Sequence, residues 1–329
     1  MQKQLNRNTM TDRLQADRYV NPYTDFGFKM LFGTEVNKDL LISFVNSLLM
    51  GREVITDLTY LNTEHLGNSE IDRRAVFDVY CENERGERIL IEMQRGEQQF
   101  FKDRSLYYST FPIREQSRKG NWDYELKAVY VIGILNFTFD DGTPDYFHHH
   151  VQLMDVNTKE VFYDKLTFIY LEMPKFNKGE DELENMFDKW LFVLRNLSRL
   201  LERPRALQER VFLKLFEAAE IAKFTKTQYE AYEDSLKVYR DWQNTISTAE
   251  LKGEAKGRAE GRAEGRAEGI AEGRAEGIAE GMVKGRAEGR EEGEKQKAME
   301  IARFLKSSGM TIEMICEATG LSGDEVVQL

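Results

Sequence analysis

The chain has 329 residues, long enough to bury a substantial core without disulfides or structural metals. Hydrophobic residues make up 41% and aromatic residues 11%, which excludes a disordered chain. The net charge of −11 excludes a protein that coats nucleic acid or an anionic membrane with its whole surface, and leaves room only for a locally basic site. The two cysteines, Cys81 and Cys316, lie far apart and read as buried thiols of a reducing compartment. Residues 1–21 are polar, and the longest apolar run, Val129 to Phe137, is too short to cross a bilayer. The expectation is a cytoplasmic protein without a membrane partner.

Residues 1–20 are expected to be flexible. After them, Asp25 to Gly33 and Asn37 to Leu49 carry apolar residues at helical spacing. Val54 to Leu61, Ala75 to Glu82 and Arg88 to Gln94 are rich in β-branched and aromatic residues and read as strands. Gln98 to Arg118 reads as a helix interrupted near Pro112, and Lys127 to Phe137 as a buried strand. Two more strands fit His148 to Val156 and Val161 to Leu171, and helices fit Asp181 to Leu201 and Leu207 to Lys223. This order predicts an α/β core, a mixed sheet flanked by helices, over residues 21–175. A helical region at 176–250 and a helical C-terminal extension follow.

Between the second and third strands, Glu84, Arg85 and Gly86 form a three-residue loop whose last position suits the positive φ that glycine permits. That register sets residue 82 opposite 88 and therefore Asp78 opposite Glu92, with Gln94 on the same face two residues along. Opposed carboxylates destabilise a hairpin unless a cation lies between them. Oxygen donors of this kind suit a hard divalent ion, magnesium above all, which binds through one or two carboxylates together with water and phosphate.

These residues carry a family resemblance. Asp78 followed by Glu92-Met93-Gln94 resembles the metal-binding signature of the PD-(D/E)XK nuclease superfamily, with Gln94 where lysine usually stands. Asn21-Pro22-Tyr23-Thr24-Asp25-Phe26-Gly27-Phe28-Lys29 and Phe77-Asp78-Val79-Tyr80-Cys81 resemble, more narrowly, the recombination-promoting nuclease (Rpn) family of transposase-like proteins. The resemblance spans about residues 20 to 245. It implies a restriction-endonuclease-like fold and a magnesium-dependent DNA endonuclease, with Mn2+ or Ca2+ as other candidate ions, acting in recombination, mobile-element or defence processes. By the same match, Asp78, Glu92 and the main-chain carbonyl of Met93 hold the ion, and Gln94 orients water or a phosphate oxygen. Asp25 is a further carboxylate that either orients a metal-bound water or serves as a helix N-cap. The rival reading is a binding or scaffold protein that keeps the fold without the chemistry.

The helix after the signature carries Lys102, Arg104, Arg114, Arg118 and Lys119 against Asp103 and Glu115, with Tyr107 and Tyr108 interleaved. A local excess of three positive charges in an acidic chain suits contacts with DNA phosphates rather than base readout. His148-His149-His150 leaves only the first and last imidazole on one strand face, with no cysteine nearby, so a surface strand is expected there rather than a zinc site.

From Gly253 to Gly293 a glycine recurs at every fourth residue, eleven in all, in tetrads such as Gly257-Arg258-Ala259-Glu260. Each glycine costs a helix about 1 kcal/mol relative to alanine. Identical residues at i and i+4 stack like charges along one helix. A partner helix offset so that Arg columns meet Glu columns reverses that sign, and the small residues permit close approach, so a homo-oligomer through a helix at 251–297 is expected, with a solvated linker as the alternative. Four residues advance about 400°, so the glycine stripe drifts along a right-handed path. Residues 298–329 read as a short helical hairpin with Thr311 and Ser322 as caps.

Overall fold

The computed structural model describes residues 17–49, 51, 54–65, 75–117, 123–139 and 143–329. Residues 1–16 of the segment expected to be flexible lie outside these. The remainder of that segment is held: Tyr19 bridges Glu220, and Val20 donates its N–H to the Ala219 carbonyl. In chain order the elements are α1 (Asp25–Phe32), α2 (Lys38–Leu49), β1 (Leu58–Tyr60), β2 (Glu64–His65), β3 (Ala75–Val76), β4 (Val79–Asn83), β5 (Arg88–Gln94), α3 (Phe101–Glu115), β6 (Val129–Leu135), β7 (His148–Met154) and β8 (Val161–Glu172). Then come α4 (Met186–Asn196), α5 (Arg210–Ala219), α6 (Lys226–Ser307), α7 (Ile312–Thr319) and α8 (Gly323–Gln328). Two compact units result, one up to Gln243 and one from Asn244 onward.

The first unit is built on a six-stranded mixed sheet in the order β1-β4-β5-β6-β8-β7, with β2 and β3 forming a separate pair. β5, β6 and β8 run parallel to their neighbours in that central stretch, while the β1/β4, β4/β5 and β7/β8 pairs are antiparallel. All seven residues of β6 are buried, as a parallel strand covered on both faces requires. One face carries Ile89, Ile91, Ile132 and Ile134 and packs against α1, α2, α4, α5 and the start of α6. There Trp190 stacks among Phe32, Phe44 and Phe212 at 5.0–5.8 Å and donates its indole N–H to Ser43 Oγ. The other face carries Tyr80, Leu90, Val131 and Phe168 and is closed by α3 through Phe101 and Phe111.

The hairpin register holds: Glu82 pairs with Arg88 and Val79 with Ile91, and Gly86 sits at φ 78°. The strand expected over Ala75 to Glu82 is broken into β3 and β4. At the break Phe77 donates its N–H to Thr63 O instead of to β5. The expected interruption near Pro112 is absent. α3 runs through it, and the proline ring is buried with Phe111. The long helices expected at 181–201 and 207–223 are shorter α-helices flanked by 3-10 turns. Cys81 is buried, and burial pushes its thiol up to about 12, whereas Cys316 is only partly buried.

In the second unit every residue from 244 to 297 is exposed along α6, and nothing lies within 4 Å of a Cβ built on any of the eleven tetrad glycines. Helical rise makes this part, up to Ser307, about 95 Å long. Its far end folds back as α7 and α8 around Ala302, Ile315, Leu321 and Val326, and Ser322 and Glu325 form a reciprocal cap. No helix among the described residues is long and apolar enough to cross a membrane.

Candidate metal centre

Where the β4/β5 ladder ends, one side chain takes over its hydrogen bonding. In an antiparallel ladder alternate residues exchange both backbone bonds with the strand opposite, and Asn83 with Glu87, then residues 81 with 89 and 79 with 91, keep that alternation. The next exchange would use Met93. Instead the Met93 N–H donates to Asp78 Oδ2 at 2.7 Å. N–H and C=O of one strand residue point to the same side, so the Met93 carbonyl is turned toward Asp78 as well.

Asp78 and Glu92 stand together at the ladder end, and among the described residues no cation forms an ion pair with either. Gln94 Nε2 donates to Glu92 Oε2 at 3.0 Å, whereas Glu92 Oε1 is buried without a partner. Burial and the charge of Asp78 push the Glu92 carboxyl up to about 8. Asp78 is also raised, chiefly by burial, with its bond from Met93 and the nearby Lys29 and Arg95 pulling the other way. Gly133 is level with Glu92 on β6. A side chain there would meet the Tyr170 ring at 3.0 Å, so glycine leaves room between sheet and α3 beside the carboxylate.

The N-terminal stretch explains itself residue by residue. Asn21 Oδ1 accepts from the Tyr23 N–H, its carbonyl accepts from the Thr24 N–H and hydroxyl, and its own N–H donates to the Tyr232 hydroxyl. Thr24 is the N-cap of α1, accepting from Gly27 N at 3.0 Å, so the N-cap reading of Asp25 is corrected: Asp25 is the first helical residue. Gly27 has no alternative, since a Cβ would lie 2.2 Å from Asn21 O. The turn delivers Asp25 and Lys29, paired at 2.9 Å, into the electrostatic neighbourhood of Asp78.

From the other side, α3 brings Arg104 and Tyr108 toward Glu92. The guanidinium favours the charged form of Glu92, and burial and the two carboxylates raise the Tyr108 phenol. Arg104 lies over the Phe101 and Tyr108 rings at 5.8 and 5.6 Å. The other expected phosphate contacts are not gathered at this point. Tyr107 and Arg114 are exposed farther along α3, and Lys102 covers the Phe139 ring at 4.7 Å in a separate apolar cavity. Arg118 and Lys119 lie outside the described residues. Lys29 and Arg95 were not singled out from the sequence; Lys29 closes the N-terminal stretch and Arg95 directly follows Gln94, so both adjoin the motifs.

The histidine run is used in packing. His149 Nε2 bonds Glu172, which also binds Lys175 Nζ at 2.9 Å and the Phe139 N–H. His148 stacks on Phe187 at 4.8 Å, and burial lowers its pKa to about 4.

Among the described residues no group of three or more His, Cys, Asp or Glu is arranged for a metal, so the donor set at the ladder end is two carboxylates. A buried carboxylate oxygen without a partner, facing a second raised carboxylate, fits a hard divalent cation completed by water and phosphate. The family model of the PD-(D/E)XK nuclease family transposases matches residues 22–249. No curated protein and no solved structure matches the chain.

Proposed function

The chain belongs to the PD-(D/E)XK nuclease family of transposases, its mixed sheet and flanking helices fit a restriction-endonuclease-like fold, and from that premise we propose a metal-dependent DNA endonuclease. The observation that supports this most directly is the buried Glu92 Oε1, without a partner among the described residues, on a carboxyl that feels the charge of Asp78. Asp78, Glu92 and the Met93 carbonyl hold the ion, magnesium being the one that two carboxylates with water suit best. Bound there, it supplies charge neutralisation at the scissile phosphate and an activated water.

The chain's own residues do the rest. The Met93 N–H fixes the Asp78 carboxylate, and Gln94 fixes that of Glu92. Gln94 therefore acts first on Glu92, and it brings no positive charge of its own. Arg104 and Lys29 supply that charge from α3 and α1, where a phosphodiester needs it. Lys102, Tyr107 and Arg114 are the phosphate contacts offered by α3 itself, and the same role is proposed for Arg118 and Lys119 of the segment that follows. Asp25 orients Lys29 and water at the edge of the site. The glycine tetrads join copies of the chain, and the cutting serves DNA rearrangement in the cytoplasm.

The test is nicking of supercoiled plasmid by the full chain with magnesium, with manganese and with chelator. Cleavage that needs the ion and is lost, by at least about 100-fold, in Asp78→Ala at unchanged melting temperature is expected. No nicking under any divalent ion would favour a binding scaffold.

A further inference from the structure

A second polar pocket, of about 360 Å3, opens at the carboxyl ends of β5 and β6. Its polar side chains come from five places: Asn21 and Tyr23 before α1, Asn136 after β6, Arg195 near the end of α4, Ser198 and Arg199 just beyond it, and Tyr239 and Gln243 on α6. Among the described residues no carboxylate lines it. The Arg195 Nη1 donates to the Met173 and Pro174 carbonyls at 3.0 and 3.3 Å, which fixes the guanidinium without neutralising it. Arg199 has no hydrogen bond or ion pair among the described residues. Arg95 and Arg199 both act electrostatically on the Tyr239 phenol.

The pocket is tied to the carboxylate pair by the backbone. The Asn136 N–H donates to Gln94 O at 2.8 Å, and its Nδ2 donates to Arg95 O at 3.2 Å. Arg95 in turn acts on Asp78. Ligands of α/β sheets bind in the crevice outside the carboxyl ends of parallel strands. An arginine at a helix C-terminus also complements the helix dipole, which accounts for Arg195. It does not account for the exposed Arg199 at the same pocket, or for the Tyr239 hydroxyl of a second helix, which Gln243 Nε2 orients by donating to it at 2.9 Å.

We propose that this pocket binds a backbone phosphate of the DNA strand, next to the one held at the Asp78–Glu92 site. The proposal rests on the nuclease reading. A diester oxygen has the acceptor character that guanidinium, amide and hydroxyl donors require, and its charge suits a lining that holds two arginines and, among the described residues, no acid.

The experiment uses the full chain and a short labelled duplex. Binding is read as Kd in metal-free buffer over a salt series and as KM for nicking with magnesium. Arg199→Gln is expected to weaken both about three- to tenfold and to lower the salt slope of log K by about 1, with kcat and the magnesium requirement kept. Lys237→Gln, on the exposed side of α6, is expected to change neither, and Arg199→Lys to recover part of the loss. If the parent chain nicks DNA while Arg199→Gln matches it in Kd, KM and salt slope, the pocket assignment is overturned and the nuclease reading stands. If Arg199→Gln alters binding of inorganic phosphate but not of the duplex, the pocket takes a free anion and the strand assignment is overturned. A parent chain that neither binds nor nicks DNA overturns both readings.

Discussion

Glu92 stores a charge that the folded chain accommodates poorly, and the sign of its pH dependence follows. The carboxyl has a value near 4.5 when unfolded and about 8 when folded. The folded state therefore holds a proton that the unfolded state has lost between these values, and this contribution to stability falls as pH rises and is gone above about 8. Glu92→Gln removes the penalty. Its melting temperature is expected to equal or exceed that of the parent above pH 8 and to lose the advantage toward pH 5, at roughly 2–4 °C per kcal/mol relieved. Magnesium should raise the melting temperature of the parent at high pH and not that of the variant. A difference between the two that is flat across this range would show that the pair is not electrostatically loaded. At Gly27 the constraint is steric: with a Cβ 2.2 Å from a backbone oxygen, Gly27→Ala is expected to cost about 1–3 kcal/mol. Thermal melts beside nicking assays should find activity falling more than stability, because the turn that would yield is the one presenting Asp25 and Lys29.

Sheet and α3 meet at Gly133, where a methyl group would press on the Tyr170, Leu135 and Phe101 side chains at 3.0–3.4 Å. Gly133→Ala is therefore expected to shift α3 away from Glu92, costing about 1–3 kcal/mol and lowering nicking severalfold. Unchanged kcat/KM would show that Arg104 and Tyr108 need no such placement. The β4/β5 register was legible in the sequence because alternation and one glycine of positive φ fix it together as far as Val79 opposite Ile91; Asp78, one residue beyond, accepts from the Met93 N–H instead. The break before β4 was not legible, since β-branched and aromatic residues continue through it and only the transfer of Phe77 to Thr63 ends the strand. Pro112 misled for a related reason: a ring buried beside Phe111 outweighs one missing helix bond. In α4, Asn185 caps the start by accepting from Asp188 N, a boundary that the helix read from Asp181 overran. The surroundings of the carboxylates, Lys29, Arg95, Arg104 and the Asn136 bridge, come from four separate segments. No local pattern unites them, which is why the donor pair was readable and the cations around it only partly so.

At the scale of the whole molecule, the exposed glycine helix has no packing partner among the described residues to offset a propensity cost on the order of 10 kcal/mol. A partner copy supplies one. The full chain is expected to scatter light as a dimer or larger at low salt, and a chain ending at Glu250 as a smaller species that still nicks DNA, because the carboxylates and their cations precede it. Paired double-strand cuts should decline in the truncation. A monomeric full chain at low and moderate salt would contradict the self-association proposal. The tetrads also set how precisely two copies can align. Sliding one helix past another by four residues, about 6 Å, brings nearly the same glycine, arginine and glutamate columns back into contact. Only the departures from the pattern, Glu254 and Lys256 at its start, Ile270, Ile278 and Met282-Val283-Lys284 within it, and Glu291 and Glu294-Lys295-Gln296 at its end, can tell one alignment from the next. The repeat thus behaves as a ruler with almost identical marks, so that whole tetrads can be gained or lost with little change in the lateral contacts, altering reach while the two folded ends stay the same.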